Sequence, residues 1–247
     1  MSLIITTVIG FVTAGLLWFF FRPPFGKNIV RLNTDQRVVA LTYDDGPNPP
    51  YTDQLLDVLA KHNVKATFFM IGNRIERHPE TANRVIAEGH EIGNHTYSHP
   101  LLGFLPPTYI YRQIERTDAL LRQLGIIEKT VFRAPMLTRF LPVAYVLAKL
   151  DRTHISCNVW SWDWVTQNPD KIAETVLRKI LSSTGAGSII VLHDGKAENR
   201  KANRSGTIEA TDRIITALKQ DGYQFVRLSD VESMAISNQQ SVVSKTD

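Results

Sequence analysis

Cysteine is almost missing from this chain. The single Cys157 excludes an intramolecular disulfide and a zinc site built from several thiolates. It sits in an apolar run, so an inert core thiol is expected. Strong charge of either sign is missing too. A formal net charge of +4 over 247 residues suits an anionic polymer or membrane surface but is too weak to argue for nucleic acid, and no nucleic-acid motif is present. There is no internal repeat, no low-complexity segment, and no membrane-length apolar run after residue 21. What remains is 43% hydrophobic and 21% charged, an ordinary globular balance, long enough for one domain plus an appendage.

The appendage is N-terminal. Leu3 to Phe21 is uncharged and almost wholly apolar, and Arg22 ends it. Nineteen helical residues span roughly 28 Å, close to the ~30 Å of a bilayer core. Trp18 and Arg22 sit where interfacial anchors belong. A cleaved signal peptide would want a basic start and a small-residue cleavage site, and neither is clear. The reading is an uncleaved anchor at 1–22 and a linker at 23–35 that begins Pro23-Pro24-Phe25-Gly26. A domain at 36–234 and a polar tail at 235–247 follow. Arg22, Lys27 and Arg31 follow the apolar run and no Lys or Arg precedes it. Positive-inside counting alone therefore puts the domain in the cytoplasm.

From Arg37 onward, strand and helix patterns alternate. Strands are predicted over 37–43, 65–71, 91–94, 130–133, 154–160, 188–192 and 223–227. Helices are predicted over 52–62, 79–88, 109–124, 141–150, 169–181 and 207–220. Such alternation implies a parallel sheet, open or closed as a barrel, with function gathered at the C-terminal strand ends.

Polar residues collect at those ends. The first strand runs into Thr42-Tyr43-Asp44-Asp45-Gly46-Pro47. Adjacent carboxylates repel, and a bound cation is one compensation, although a solvated turn is another. The third strand leads to His95-Thr96-Tyr97-Ser98-His99, whose two histidines can share an ion if the segment makes a helical turn. Arg133 ends the fourth strand, where it could pair with one of the acids or simply face solvent. Trp160-Ser161-Trp162-Asp163-Trp164 follows the fifth, either as core or as an apolar wall with one placed acid. His193-Asp194-Gly195 ends the sixth, and His193 is either a packed core residue or an acid–base group. The charged stretch from Lys196 to Arg204 reads as a solvated loop or as a cleft rim that steers an anionic polymer.

Over residues 36–230 this pattern resembles the polysaccharide deacetylases with a NodB homology domain, carbohydrate esterase family 4. The matching segments are Thr42 to Pro47, Gly89-His90-Glu91-Ile92-Gly93-Asn94 continuing through His99-Pro100, Arg133-Ala134-Pro135, Asp163-Trp164 and Val191-Leu192-His193-Asp194. The resemblance implies an α/β fold, a distorted (β/α) barrel, and a divalent metal, most often Zn2+. It implies Asp45, His95 and His99 as metal ligands, Asp44 as general base, Arg133 as its partner, His193 as general acid and Asp163 as the carboxylate that tunes it. Pro135, Met136 and Trp164 would bind substrate, Trp164 walling the acetyl pocket and the Met136 N–H serving as an oxyanion donor. The implied substrate is a cell-wall or surface polysaccharide carrying N-acetylglucosamine, with no nucleic acid and no protein partner. The implied location is extracytoplasmic, against the local charge count. Departures are Tyr43 for phenylalanine, Val191 for leucine, Ala134, Met136 and Leu137 in the arginine motif, and Trp160 where a further acid is usual. A silent glycan-binding protein, or a deacylase of another N- or O-acyl group, is the alternative.

Overall fold

The computed structural model describes residues 13–21, 23, 26–182, 185–199 and 201–230. Helix α1 covers residues 13–21. The rest of the expected anchor, 1–12 and 22, lies outside the described residues, as does the tail. Among the described residues no helix is long and apolar enough to cross a membrane.

After β1 (Asn28–Ile29) and β2 (Val38–Asp44) the chain alternates: α2 (Tyr51–Lys61), β3 (Thr67–Met70), α3 (Gly72–Ile75), α4 (Pro79–Ala87), β4 (Glu91–Asn94), α5 (Pro107–Gln123), α6 (Leu141–Lys149), β5 (His154–Ile155), β6 (Val159–Trp160), α7 (Pro169–Leu181), β7 (Ser188–His193), α8 (Ser205–Gln220) and β8 (Gln224–Phe225). Every pairing is parallel. β2 is central. It pairs with β7 along six residues on one side. On the other side it meets β8 at Val38–Val39 and β3 from Thr42 to Asp44. β3 continues to β4, and single bridges carry the row through Phe132 to His154. The predicted strand over 130–133 is thus reduced to one bridge at Phe132. The predicted strand over 154–160 is split at Ser156-Cys157-Asn158. Its first half meets Phe132 and its second half meets β7, which closes the ring.

Strand alternation sorts the side chains. Val39, Leu41 and Tyr43 of β2 face the helical layer with Ile190 and Leu192 of β7. Val38 and Ala40 face inward with Ile189, Val191, Phe69 and Cys157. The same period brings Thr42, Asp44 and His193 to the inner face. The register sets Asp44 directly beside His193 at the C-terminal mouth. Buried among apolar side chains, the Cys157 thiol is pushed up to about 12, the inert thiol expected.

Candidate active site

Gly46 ends the β2 turn because no larger residue fits. A Cβ there would lie 2.1 Å from an Asp194 carboxylate oxygen, and one on Gly195 would lie 2.1 Å from the Asp45 carbonyl. Two glycines therefore let the β2 and β7 ends close on each other. Asp44 and Asp45, adjacent in sequence, diverge at this point. Asp45 takes a left-handed φ of 73°, which turns its carboxylate away from that of Asp44.

Asp44 belongs to Arg133. The guanidinium is fully buried inside the barrel. Its Nη1 donates to Asp44 Oδ1 and to Thr42 Oγ1, each at 2.7 Å. Nε and Nη2 donate to the carbonyls of Ile155 and Ser156, and the cation lies 4.1 Å from the Phe69 ring centre. A buried charge with its donors occupied is held rigidly.

Asp45 belongs to two histidines. Its Oδ1 is 3.5 Å from His95 Nε2 and 3.2 Å from His99 Nε2. Its Oδ2 accepts the Ala197 N–H at 3.1 Å. His95 Nδ1 faces only the Arg133 carbonyl, at 2.8 Å, so Nδ1 carries the proton and Nε2 offers its lone pair toward Asp45. Burial pulls His99 below its ordinary value against the opposing pull of Asp45, which favours the neutral, ligating ring.

The histidines converge by a route the sequence did not indicate. Residues 95–99 form no helical turn. Thr96 and His99 adopt φ of 67° and 57°, and the irregular loop is held from α5. Gln113 Oε1 accepts the N–H groups of Tyr97 and Ser98 at 3.0 and 2.9 Å. Two imidazole nitrogens and one carboxylate oxygen lie within 4.8 Å of one another. Among the described residues Asp45 Oδ1 is buried without a hydrogen-bond partner. A buried anionic oxygen lacking a donor beside two lone pairs is unfavourable until a cation sits among them. The donor set fits a borderline divalent ion with open positions.

His193 faces this group across the mouth. Its Nδ1 lies 2.8 Å from Asp163 Oδ1, and its own N–H donates to Asp163 Oδ2 at 2.8 Å. Asp163 is wholly buried and also accepts from Ser161 Oγ and Thr207 Oγ1. Burial disfavours the imidazolium, but Asp163, with Asp45 and Asp44 behind it, raises His193 to about 9. Burial likewise opposes the Asp163 anion, and His193 and Arg204 lower it.

These groups meet at one cavity of about 570 Å3 lined by Asp44, Asp45, His95, His99 and His193, with Met136, Trp160 and Trp164 among its walls. Trp164 stands 5.4 Å from the His193 ring, edge to face. Pro135 is buried and does not line the cavity, whereas Met136 is exposed at its rim. Lys196, Glu198 and Arg204 also line it, so the charged loop lies at the cleft. Sequence reading missed Thr42, Ser161, Thr207 and Gln113. Thr42 and Ser161 lie inside the segments singled out in the sequence but carry no chemistry of their own there, and Thr207 and Gln113 lie outside them; each acts by supporting another residue.

Comparison with known proteins agrees with this arrangement. Residues 31–155 match the family described as polysaccharide deacetylase. The chain is 36% identical over 204 residues to the peptidoglycan-N-acetylmuramic acid deacetylase PdaC of Bacillus subtilis (strain 168), covering 82% of this chain but only 40% of that protein. It is 36% identical to a chitooligosaccharide deacetylase of Sinorhizobium fredii (strain NBRC 101917 / NGR234), covering 80% and 93% of the two chains. The crystal structure of the Bc1960 peptidoglycan N-acetylglucosamine deacetylase superposes with a TM-score of 0.75 at 32% identity, covering 83% of this chain and 92% of that one.

Proposed function

Since this chain belongs to the polysaccharide deacetylase family, the NodB-type hydrolases of carbohydrate esterase family 4, we propose that it removes acetyl groups from N-acetylglucosamine units of a cell-wall or surface glycan. The supporting observation is a division of labour. Asp44 is paired with Arg133, Asp45 faces two imidazoles, and His193 is paired with Asp163, all at one cavity.

Asp45, His95 and His99 would hold a divalent cation, Zn2+ in our reading, which would supply Lewis acidity toward the acetamide carbonyl and the attacking water. Asp44 takes the proton as water adds to the carbonyl carbon. Arg133 keeps that carboxylate aimed and apart from the cation ligands. The Met136 N–H, on a turn with φ of 54°, is the second donor to the oxyanion. The C–N bond then breaks toward a poor leaving group, and His193 protonates the departing nitrogen. Asp163 binds Nδ1–H, leaving the Nε2 proton of the imidazolium for transfer. Acetate and the free amine result. Trp164 walls the site that receives the acetyl methyl.

Residues 36–234 carry this chemistry, with 1–22 as a membrane anchor, 23–35 as a linker and 235–247 as a tail. The domain works outside the cytoplasm, where such glycans lie. Acetate release by the purified full chain should vanish with a strong chelator and return with zinc. Asp44→Asn should lose on the order of 10²- to 10⁴-fold in rate and still bind zinc. Turnover of Asp44→Asn at the parent rate overturns the mechanism. Tight glycan binding without acetate release from peptidoglycan, chitin oligomers or acetylated xylan favours the silent alternative.

A further inference from the structure

Trp160 borders two cavities. One is the catalytic cleft, and the other is a groove of about 440 Å3 between β6 and α7, lined also by Trp162, Asn158, Thr175 and the α7 residues Arg178 and Lys179. The Trp160 indole is common to the walls of both. The indoles form one packed group: Trp164 lies 5.4 Å from the His193 ring, 5.6 Å from Trp160 and 4.9 Å from Trp162, and Trp160 lies 6.4 Å from Trp162.

Three features of the groove point to a ligand. Trp160 and Trp162 are 40% and 53% exposed, an unfavourable state for indoles unless something covers them. Trp162 stands at φ 59°, a left-handed conformation that bulky residues rarely adopt. Its carbonyl accepts from Val165 and Thr166, so the turn that presents the ring is fixed. Among the described residues, the ionisable groups lining the groove are Arg178 and Lys179, with no carboxylate. Arg178 is exposed and has no side-chain hydrogen bond or ion pair among the described residues.

Building on the deacetylase reading, we propose that this groove is a second glycan subsite that takes a carboxylate-bearing extension of the substrate polymer. A sugar ring presents its C–H face to an indole, as aromatic walls of carbohydrate clefts require. A guanidinium beyond the stack selects a carboxylate by charge and by forked hydrogen bonding. A neutral glycan would use the tryptophans alone, and an anionic one would use both.

The test is equilibrium binding of the full chain to soluble peptide-bearing peptidoglycan strands and to chitin oligomers of matched length, with acetate release from a short chitin oligomer measured in parallel. Arg178→Glu should weaken binding of the anionic strand by at least about fivefold, fading with added salt, and leave chitin binding and short-oligomer turnover unchanged. Trp162→Gly suits the backbone, since glycine favours φ 59°, and should weaken both polymers while sparing the short oligomer. Equal binding of both polymers by the parent and both variants overturns the subsite. A loss on Arg178→Glu that is the same for chitin overturns its anion selectivity. If the parent releases no acetate from any glycan, the deacetylase reading fails, while the binding difference still decides the groove.

Discussion

At the scale of single residues, His193 is set by two opposed pressures. Its ring is largely withdrawn from solvent, which favours the neutral form, yet the Asp163 carboxylate at 2.8 Å raises it to about 9. A histidine raised in the fold contributes stability that is complete below its unfolded value near 6.5 and lost as pH rises through about 9. Asp163→Asn removes the opposing charge and leaves burial in command. His193 should then titrate below its ordinary value, which NMR of the ring protons in the metal-free protein would read. The stability gap between parent and variant should narrow as pH rises toward 9. Turnover should fall on the order of 10²-fold, with the pH–rate profile losing its alkaline reach. An unmoved His193 titration in Asp163→Asn would mean that Asp163 is merely structural. The residue scale is also where the sequence was most legible. Alternation placed Asp44 and His193 at strand ends and left their roles open; the resemblance supplied the roles, and the structure pairs Asp44 with Arg133 and His193 with Asp163. Arg204 was not legible as more than loop charge, because its burial against the Asp163 carbonyl depends on how α8 packs.

Elements were legible in proportion to their local signals. α7 spans Pro169–Leu181, the range its pattern predicts, with Pro169 in the first turn and Asn168 Oδ1 accepting the Lys171 N–H. β4 at Glu91–Asn94 likewise coincides with its expectation. β1 did not show, since two residues opposite β5 carry no period. α3, a single turn after β3, was too short to register. H-x-x-x-H spacing brings two histidines together on a helical turn, but the loop 95–99 makes none. Its real support is Gln113 on α5, which takes two backbone N–H groups. Gln113→Ala should orphan both, at a cost of about 1–3 kcal/mol, and let His95 and His99 drift apart. Calorimetry should find zinc affinity lowered about 10- to 100-fold, as for lost supports around metal ligands. Zinc affinity equal to the parent's would mean the loop holds its shape without α5. Chemical denaturation separates the two effects, because the stability cost persists without zinc and the affinity loss does not.

For the whole molecule, the three candidate ligands decide how a bound ion couples to folding. Asp45 follows β2, and His95 and His99 follow β4, with β3 lying between these strands. An ion held there ties two non-adjacent staves of the barrel at its open end, and it has no equivalent site in the unfolded chain. Linkage then gives about 2.7 kcal/mol when free zinc is a hundred times its dissociation constant. For a chain of this size each kcal/mol moves the melting temperature by about 2–4 °C, so zinc should raise it by about 5–10 °C. Asp45→Asn and His95→Ala should melt at temperatures that zinc no longer moves. Asp44→Asn should keep the full zinc response, since its carboxylate is engaged by Arg133 and stands outside the ligand group. The adjacent acids would thus fail in different ways, one in metal-linked stability and the other in rate alone. If zinc leaves the melting of both Asp44→Asn and Asp45→Asn unmoved, the two carboxylates share the ion, and Asp44 is not free to act as the base.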